Sequence, residues 1–275
     1  MNEFIMDKLS VNGKNIIVTG GAQGIGKCAA ETLAQCGANV GILDVNIGLA
    51  DAVAAEINAQ SGGKAVANSG GKAAANSGGK TAAYSCDVTD SSMVTQAFAA
   101  FTSDFGALDA VFNNAGIVTH NGAEDVGDDE WKKVIDVNLN GVFYVAREAA
   151  RCFIGAGKGG SIVNMASMSG VIVNIPQQQA SYNASKAAVI QLTKSLAVEW
   201  ADKGIRVNCL SPGYIATEMT GKLRGDWKSF WESLIPFKRM GRPDELVGAL
   251  VYLMSDASSY TSGLNMVIDG GFTCV

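Results

Sequence analysis

A single histidine, His120, is all that this 275-residue chain contains. A multi-histidine metal site is therefore excluded, and any Ser-His-Asp scheme would have to be built on that one residue. The six cysteines (Cys28, Cys36, Cys86, Cys152, Cys209 and Cys274) form no Cys-x-x-Cys pair and no zinc-type spacing. Mostly reduced, buried and inert thiols are expected. No apolar run reaches the ~18 residues that a membrane-spanning helix needs, and Met1 to Ser10 has no signal-peptide core. With a net charge of −5 and no Lys/Arg cluster, nucleic acid is not an expected partner. These absences point to a cytoplasmic protein with no metal, whose chemistry must rest on Tyr, Lys, Ser, Asn and a cofactor.

What is present suits one large α/β domain. Apolar residues make up 48% and charged residues 17% of a chain long enough for a substantial core. Asn15 to Thr19 is a short β-branched run that reads as a buried parallel strand. It leads into Thr19-Gly20-Gly21-Ala22-Gln23-Gly24-Ile25-Gly26 and a helix from Lys27 to Cys36. Strand, glycine-rich turn and helix together present backbone N–H groups to a pyrophosphate. Gly20 permits the tight turn, Gly24 the close approach of phosphate, and Gly26 close helix–strand packing.

A second strand, Ala38 to Leu43, stops at Asp44, 20 residues past Gly24, where a nucleotide-binding βαβ unit keeps its ribose-binding acid. No Lys or Arg lies between Gly20 and Ile25 or between Asp44 and Lys64, so a 2′-phosphate would meet an uncompensated carboxylate. NAD(H) is expected rather than NADP(H). Three copies of an eight-residue Gly/Lys/Ala repeat fill residues 60–83 and read as an expanded surface connection. Deleting one or two copies should leave folding and turnover nearly intact.

Further strands are expected at Ala82–Val88, Leu108–Phe112, Ser161–Met165, Ile205–Leu210 and Asn265–Asp269. A helix capped by Ser91 or Ser92 should run to Phe105, and a long one from Asp128 to Phe153 should carry Asn138 at mid-length. Tyr182 and Lys186, four residues apart, share a helix face. An ammonium ~4 Å from a phenol, at an effective dielectric of about 20, favours phenolate by roughly 4 kcal/mol. That would lower a pKa near ~10 by up to about 3 units, into a range useful for acid–base catalysis.

With these motifs in this order, the chain resembles the short-chain dehydrogenase/reductase family over nearly its whole length. The glycine turn through Gly26, Asn113-Asn114-Ala115-Gly116, the set Asn138, Ser167, Tyr182 and Lys186, and Pro212-Gly213 carry the resemblance. It implies a Rossmann-like doubly wound sheet of about seven strands and a homotetramer. Tyr182 is then the proton donor and acceptor, Lys186 lowers its pKa and holds the nicotinamide ribose, Ser167 bonds the substrate oxygen, and Asn138 holds a relay water. Ser169 rivals Ser167, but Ser-x-x-Gly with Gly170 favours Ser167. The resemblance also assigns Gln23 and Ile25 to the cofactor turn. Asp87 and Val88 go to the adenine, Asn114 with Ala115 and Gly116 to the adenosine side, and Ile215 and Thr217 to the carboxamide and phosphates.

The 15-residue gap from Ser167 to Tyr182 and the ending from Val267 to Cys274 look like the branch holding mannitol 2-dehydrogenases, sorbose reductases, D-arabinitol dehydrogenases and some yeast carbonyl reductases. A polyol–ketose substrate follows. A carbonyl or 3-oxoacyl reductase and a dinucleotide-sensing binding protein are the alternatives. Gln177, Gln178 and Gln179 either bind sugar hydroxyls or form a solvated loop. A helical flap over 214–240, with Trp227, Phe230, Trp231 and Phe237, is read as a lid that also packs. His120 is expected in an exposed loop.

Overall fold

The computed structural model describes residues 3–61, 79–221 and 225–275. Seven parallel strands form one sheet: β1 (Asn15–Thr19), β2 (Asn39–Asp44), β3 (Thr81–Ser85), β4 (Ala110–Asn113), β5 (Gly160–Met165), β6 (Ile205–Pro212) and β7 (Asn265–Ile268). Their order is β3-β2-β1-β4-β5-β6-β7, so the chain reverses direction across the sheet between β1 and β4.

Both faces of the sheet are covered, and successive strand residues feed opposite cores. Ile16 and Val18 point into one cluster and Ile17 into the other; Ala110 and Phe112 are likewise separated from Val111. This period of two explains why the strands read as unbroken apolar runs. On the first face pack α2 (Gly24–Gln35), α3 (Ile47–Ser61) and α8 (Asp244–Met254), through Leu33, Val53 and Leu250. On the second pack α4 (Ser91–Phe105), α6 (Val142–Gly155) and α7 (Ala180–Glu199), through Phe98, Phe153 and Leu196. A short α1 (Glu3–Leu9) with no buried residue precedes β1.

Several local expectations are corrected. The cap of α4 is Asp90, whose carboxylate accepts the N–H groups of Ser92 and Met93 at 2.8 and 3.3 Å; Asp reaches those donors from one residue earlier than the expected serines. The long helix is three pieces: α5 (Asp128–Ile135), a π-helical segment (Asp136–Gly141) and α6. The repeat is shorter than its sequence period suggests, because Gln60 and Ser61 end α3 and Thr81 to Ala83 begin β3; copies within 62–78 lie outside the described residues. All six cysteines are free, but only Cys86 and Cys209 are buried. Burial pushes those thiols up, to about 12 for Cys86 and about 11 for Cys209, which keeps them inert. Among the described residues no helix is long and apolar enough to cross a membrane.

Candidate active site

Ligands in such sheets bind beyond the carboxyl ends of the strands where the order reverses. The chain stitches that point shut. The Thr19 hydroxyl accepts the N–H groups of Asn114 and Ala115, both at 3.0 Å, and the Asn114 amide donates to the carbonyls of Thr19 and Gly20. Gly20 and Gly24 adopt φ of 62° and 55°, a region costly for other residues. A Cβ on Gly26 would collide with the Gly20 carbonyl oxygen, so this glycine brings α2 against the turn as expected.

A cleft of about 950 Å³ opens here. Gly20, Gln23, Gly24, Ile25, Asp44, Asp87, Val88, Asn114, Ala115, Gly116, Tyr182, Lys186 and Thr217 all line it. The N-terminus of α2 has no side-chain cap, which leaves its N–H groups for a phosphate. The Asp44 carboxylate is held by the N–H groups of Ala22 and Asn46, at 3.1 and 3.0 Å. An uncapped helix end, two left-handed glycines and a fixed carboxylate fit a dinucleotide. Four expected contacts are not on this wall. Gly26 is buried under the turn, Pro212 ends β6, Gly213 packs against Asp269, and Ile215 is buried beside Gly241. Conversely, Ile117, Val118 and the charged pair Lys132 and Lys133 do line it. Nothing in their sequence context marks them, because ordinary loop and helix residues occur there.

The proposed catalytic residues converge on the first turns of α7. Gly170 makes this possible: a Cβ there would lie 2.6 Å from the Lys186 carbonyl carbon, so only glycine lets the turn bearing Ser167 sit on the α7 backbone. The Ser167 side chain lies beside the Tyr182 phenol, close enough to favour its ionised form. Its Oγ also donates to Ser169 at 3.0 Å and accepts the Ser169 N–H at 3.1 Å. The Lys186 Nζ is buried, donates to the Met165 carbonyl at 2.7 Å, and lies 5.5 Å from the Tyr182 ring centroid.

The electrostatics differ from the simple expectation. Burial pushes the Tyr182 phenol above its ordinary value, and the neighbouring Ser167 hydroxyl opposes it. Lys186 is not among the groups that move it, because its ammonium stands over the ring and bonds Met165 rather than the phenol oxygen. Burial in turn lowers Lys186 to about 8.

Asn138 sits fully buried in the π-helical segment, a geometry that often re-aims a functional residue. Its amide exchanges two 2.8 Å hydrogen bonds with the Ile117 backbone and donates to Ser185 at 3.1 Å. Ser185 in turn donates to the Tyr182 carbonyl at 2.7 Å. The side chain is a brace between the β4 loop and α7, with both amide hydrogens engaged, so it has none left to donate to a relay water.

The glutamines divide. Gln177 and Gln179 are buried, whereas Gln178 is exposed. Gln177 donates to the Tyr214 hydroxyl at 3.0 Å and accepts from the Trp231 indole at 3.0 Å; Gln179 donates toward Ser169, Asn174 and Asn183. The flap begins and ends at one point, where Ile215 pairs with Gly241. Of its aromatics, Trp231 is buried and stacked on Tyr214 at 4.2 Å, while Phe230 and Phe237 are exposed. Trp231 is therefore packing, and Trp227 lies at its margin.

A family profile described as enoyl-(acyl carrier protein) reductase matches residues 64–273. The chain belongs to the short-chain dehydrogenase/reductase family. It is 45% identical to a sorbose reductase of Candida albicans, over 98% of this chain and 90% of that one. Identity is 43% with a probable NADP-dependent mannitol dehydrogenase of Yarrowia lipolytica, over 100% and 92%. It is 40% with a ribulose-forming D-arabinitol 2-dehydrogenase of Candida tropicalis, over 98% and 96%. A short-chain dehydrogenase/reductase structure from Mycobacterium marinum superposes with a TM-score of 0.89 at 42% identity, covering 98% of this chain and all of that one. Short-chain dehydrogenases/reductases bind a nicotinamide dinucleotide, and this chain is an oxidoreductase of that family acting on CH–OH groups.

Proposed function

We propose that the protein interconverts a polyol and its ketose with NAD(H), in the alcohol-oxidising direction. The substrate class is supported by the names of the sorbose, mannitol and arabinitol relatives, each matched over nearly the full length. The observation that carries the chemistry is the Tyr182 phenol, beside Ser167 and under the Lys186 ammonium at the wall of the cleft.

When bound, the nicotinamide accepts or supplies the hydride. The uncapped end of α2 and the Gly20–Gly24 turn hold its phosphates, Asp44 the adenosine ribose hydroxyls, and Lys186 the nicotinamide ribose. Tyr182 takes the alcohol proton during oxidation and returns it during reduction. The Ser167 hydroxyl bonds the substrate oxygen where negative charge develops. Asp44 favours NAD(H), because a 2′-phosphate would be repelled there, although the Yarrowia relative is named for NADP.

The protein is further proposed to be a homotetramer. Trp131, Ile154 and Val198, on α5, α6 and α7, leave apolar surface uncovered in the single chain.

Initial rates with NAD and NADP across C4–C6 polyols test this reading. Turnover with NAD at least tenfold above NADP, on a polyol, is expected. Activity confined to hydrophobic ketones or β-ketoacyl groups would replace the substrate class.

A further inference from the structure

Behind Ser167 lies a chain of buried polar side chains that the proposed reaction does not use. Gln179 occupies the N-cap of α7, where Ser, Thr, Asp or Asn would cap the helix, yet its side chain makes no cap hydrogen bond. The amide turns inward instead and is buried. Its Nε2 faces three oxygens: Asn183 Oδ1 at 2.8 Å, Asn174 Oδ1 at 3.2 Å and Ser169 Oγ at 3.3 Å. Asn174 gives its own amide N–H to the Tyr214 hydroxyl at 3.2 Å, which leaves its oxygen for Gln179. The donor end of Gln179 is therefore the end aimed at Ser169. Asn183 takes one of the two amide hydrogens, and Asn174 and Ser169 share the other.

Ser169 is buried between Gln179 and Ser167. The two serine hydroxyls lie 3.0 Å apart, and the Ser169 N–H holds the Ser167 Oγ at 3.1 Å. A hydroxyl carries a single hydrogen. While Ser167 gives its hydrogen to Ser169, it has none for a substrate oxygen. Substrate binding must reverse that bond, so that Ser169 donates to Ser167 and Ser167 donates outward. Reversal takes from Ser169 the hydrogen it was accepting, and the Gln179 N–H is in place to supply another. Each bond in such a chain polarises the next, so a donor behind Ser169 makes Ser167 a stronger donor in front.

We propose that Gln179 and Ser169 are positioning residues that set the direction of the Ser167 hydroxyl, in the order Gln179, Ser169, Ser167, substrate oxygen. The inference rests on the role given to Ser167 above. Neither Gln179 nor Ser169 has to meet the substrate, because both act through Ser167. Ser169, the rival of Ser167 in the sequence, becomes its hydrogen-bond partner.

The test is a set of double-mutant cycles on kcat, run with whichever of D-mannitol, D-arabinitol, galactitol and 2-hexanol the wild type oxidises fastest. Ser169→Ala keeps the backbone N–H on Ser167 and removes only the hydroxyl; Gln179→Met keeps the volume and removes the donor. Each should lower kcat about tenfold, the scale of one hydrogen bond, while KM and NADH affinity stay within about twofold. Ser169→Thr, which retains the hydroxyl, should keep most of the wild-type kcat. Added to Ser167→Ala, neither change should lower kcat further, because the chain has nothing left to act on. If Gln179→Met does not fold, Ser169→Ala carries the same cycle. Wild-type kcat in Ser169→Ala, or a loss that persists in full on top of Ser167→Ala, overturns the relay and leaves the role of Ser167 standing. Wild-type kcat in Ser167→Ala overturns that role and the relay with it.

Discussion

Burial acts on Tyr182 and Lys186 in opposite senses, raising the phenol and lowering the ammonium to about 8. Alcohol oxidation needs the phenolate, so a raised pKa places the active form at the alkaline end. Oxidation kcat/KM should therefore climb with pH above neutrality, and ketose reduction should fall. Ser167→Ala removes the hydroxyl that pulls the phenol down. It should move that limb to higher pH and lower kcat about 100-fold, as loss of an oxyanion donor commonly does. For Lys186 the folded pKa lies below its ordinary 10.5. At this group the unfolded chain then binds more protons between about pH 8 and 10, so Lys186 contributes a rise in stability across that window, opposed towards its upper end by the buried Cys86 and Cys209 thiols. Urea unfolding of Lys186→Met should lose the rise. Asp44→Ala removes the carboxylate expected to hold the ribose, and the KM for NAD should increase about tenfold or more while that for NADP improves.

Among the elements, the sheet beneath the site is pinned by a buried amide ladder. Asn113 donates to the Val142 carbonyl at 2.8 Å and to Asn164 at 3.2 Å, and Asn164 donates to Thr193 at 3.0 Å. Asn113→Ala leaves two buried acceptors unpaired and should cost about 2–4 kcal/mol, measured by urea unfolding. Asn113-Asn114-Ala115-Gly116, the glycine turn and the Ser-x-x-Gly turn were legible as motifs, whereas the Asn164 and Thr193 partners of the ladder, 51 and 29 residues along the chain from the groups they bond, were not. Asn138 was legible as an unusual polar residue at mid-helix but not as a brace. Its partners, the Ile117 backbone and Ser185, lie 21 and 47 residues away, and the π-helical segment carries no pattern of its own. His120, partly buried with its ring edge-on against Trp227 rather than exposed, failed for a related reason. Its partner Trp227 is more than 100 residues along the chain, so local polarity suggested exposure.

For the whole molecule, the strands were legible as short apolar runs separated by helices, because a parallel sheet is buried on both faces, while the doubly wound arrangement came with the family resemblance. The assembly is a matter of surface, and light scattering should give about four times the 28.4 kDa chain mass. Turnover hinges on one proton. Tyr182→Phe removes the hydroxyl and keeps the ring beneath Lys186, so NADH should bind as in wild type while polyol turnover falls at least ~100-fold. A Tyr182→Phe enzyme that bound NADH normally and kept wild-type kcat would contradict the account.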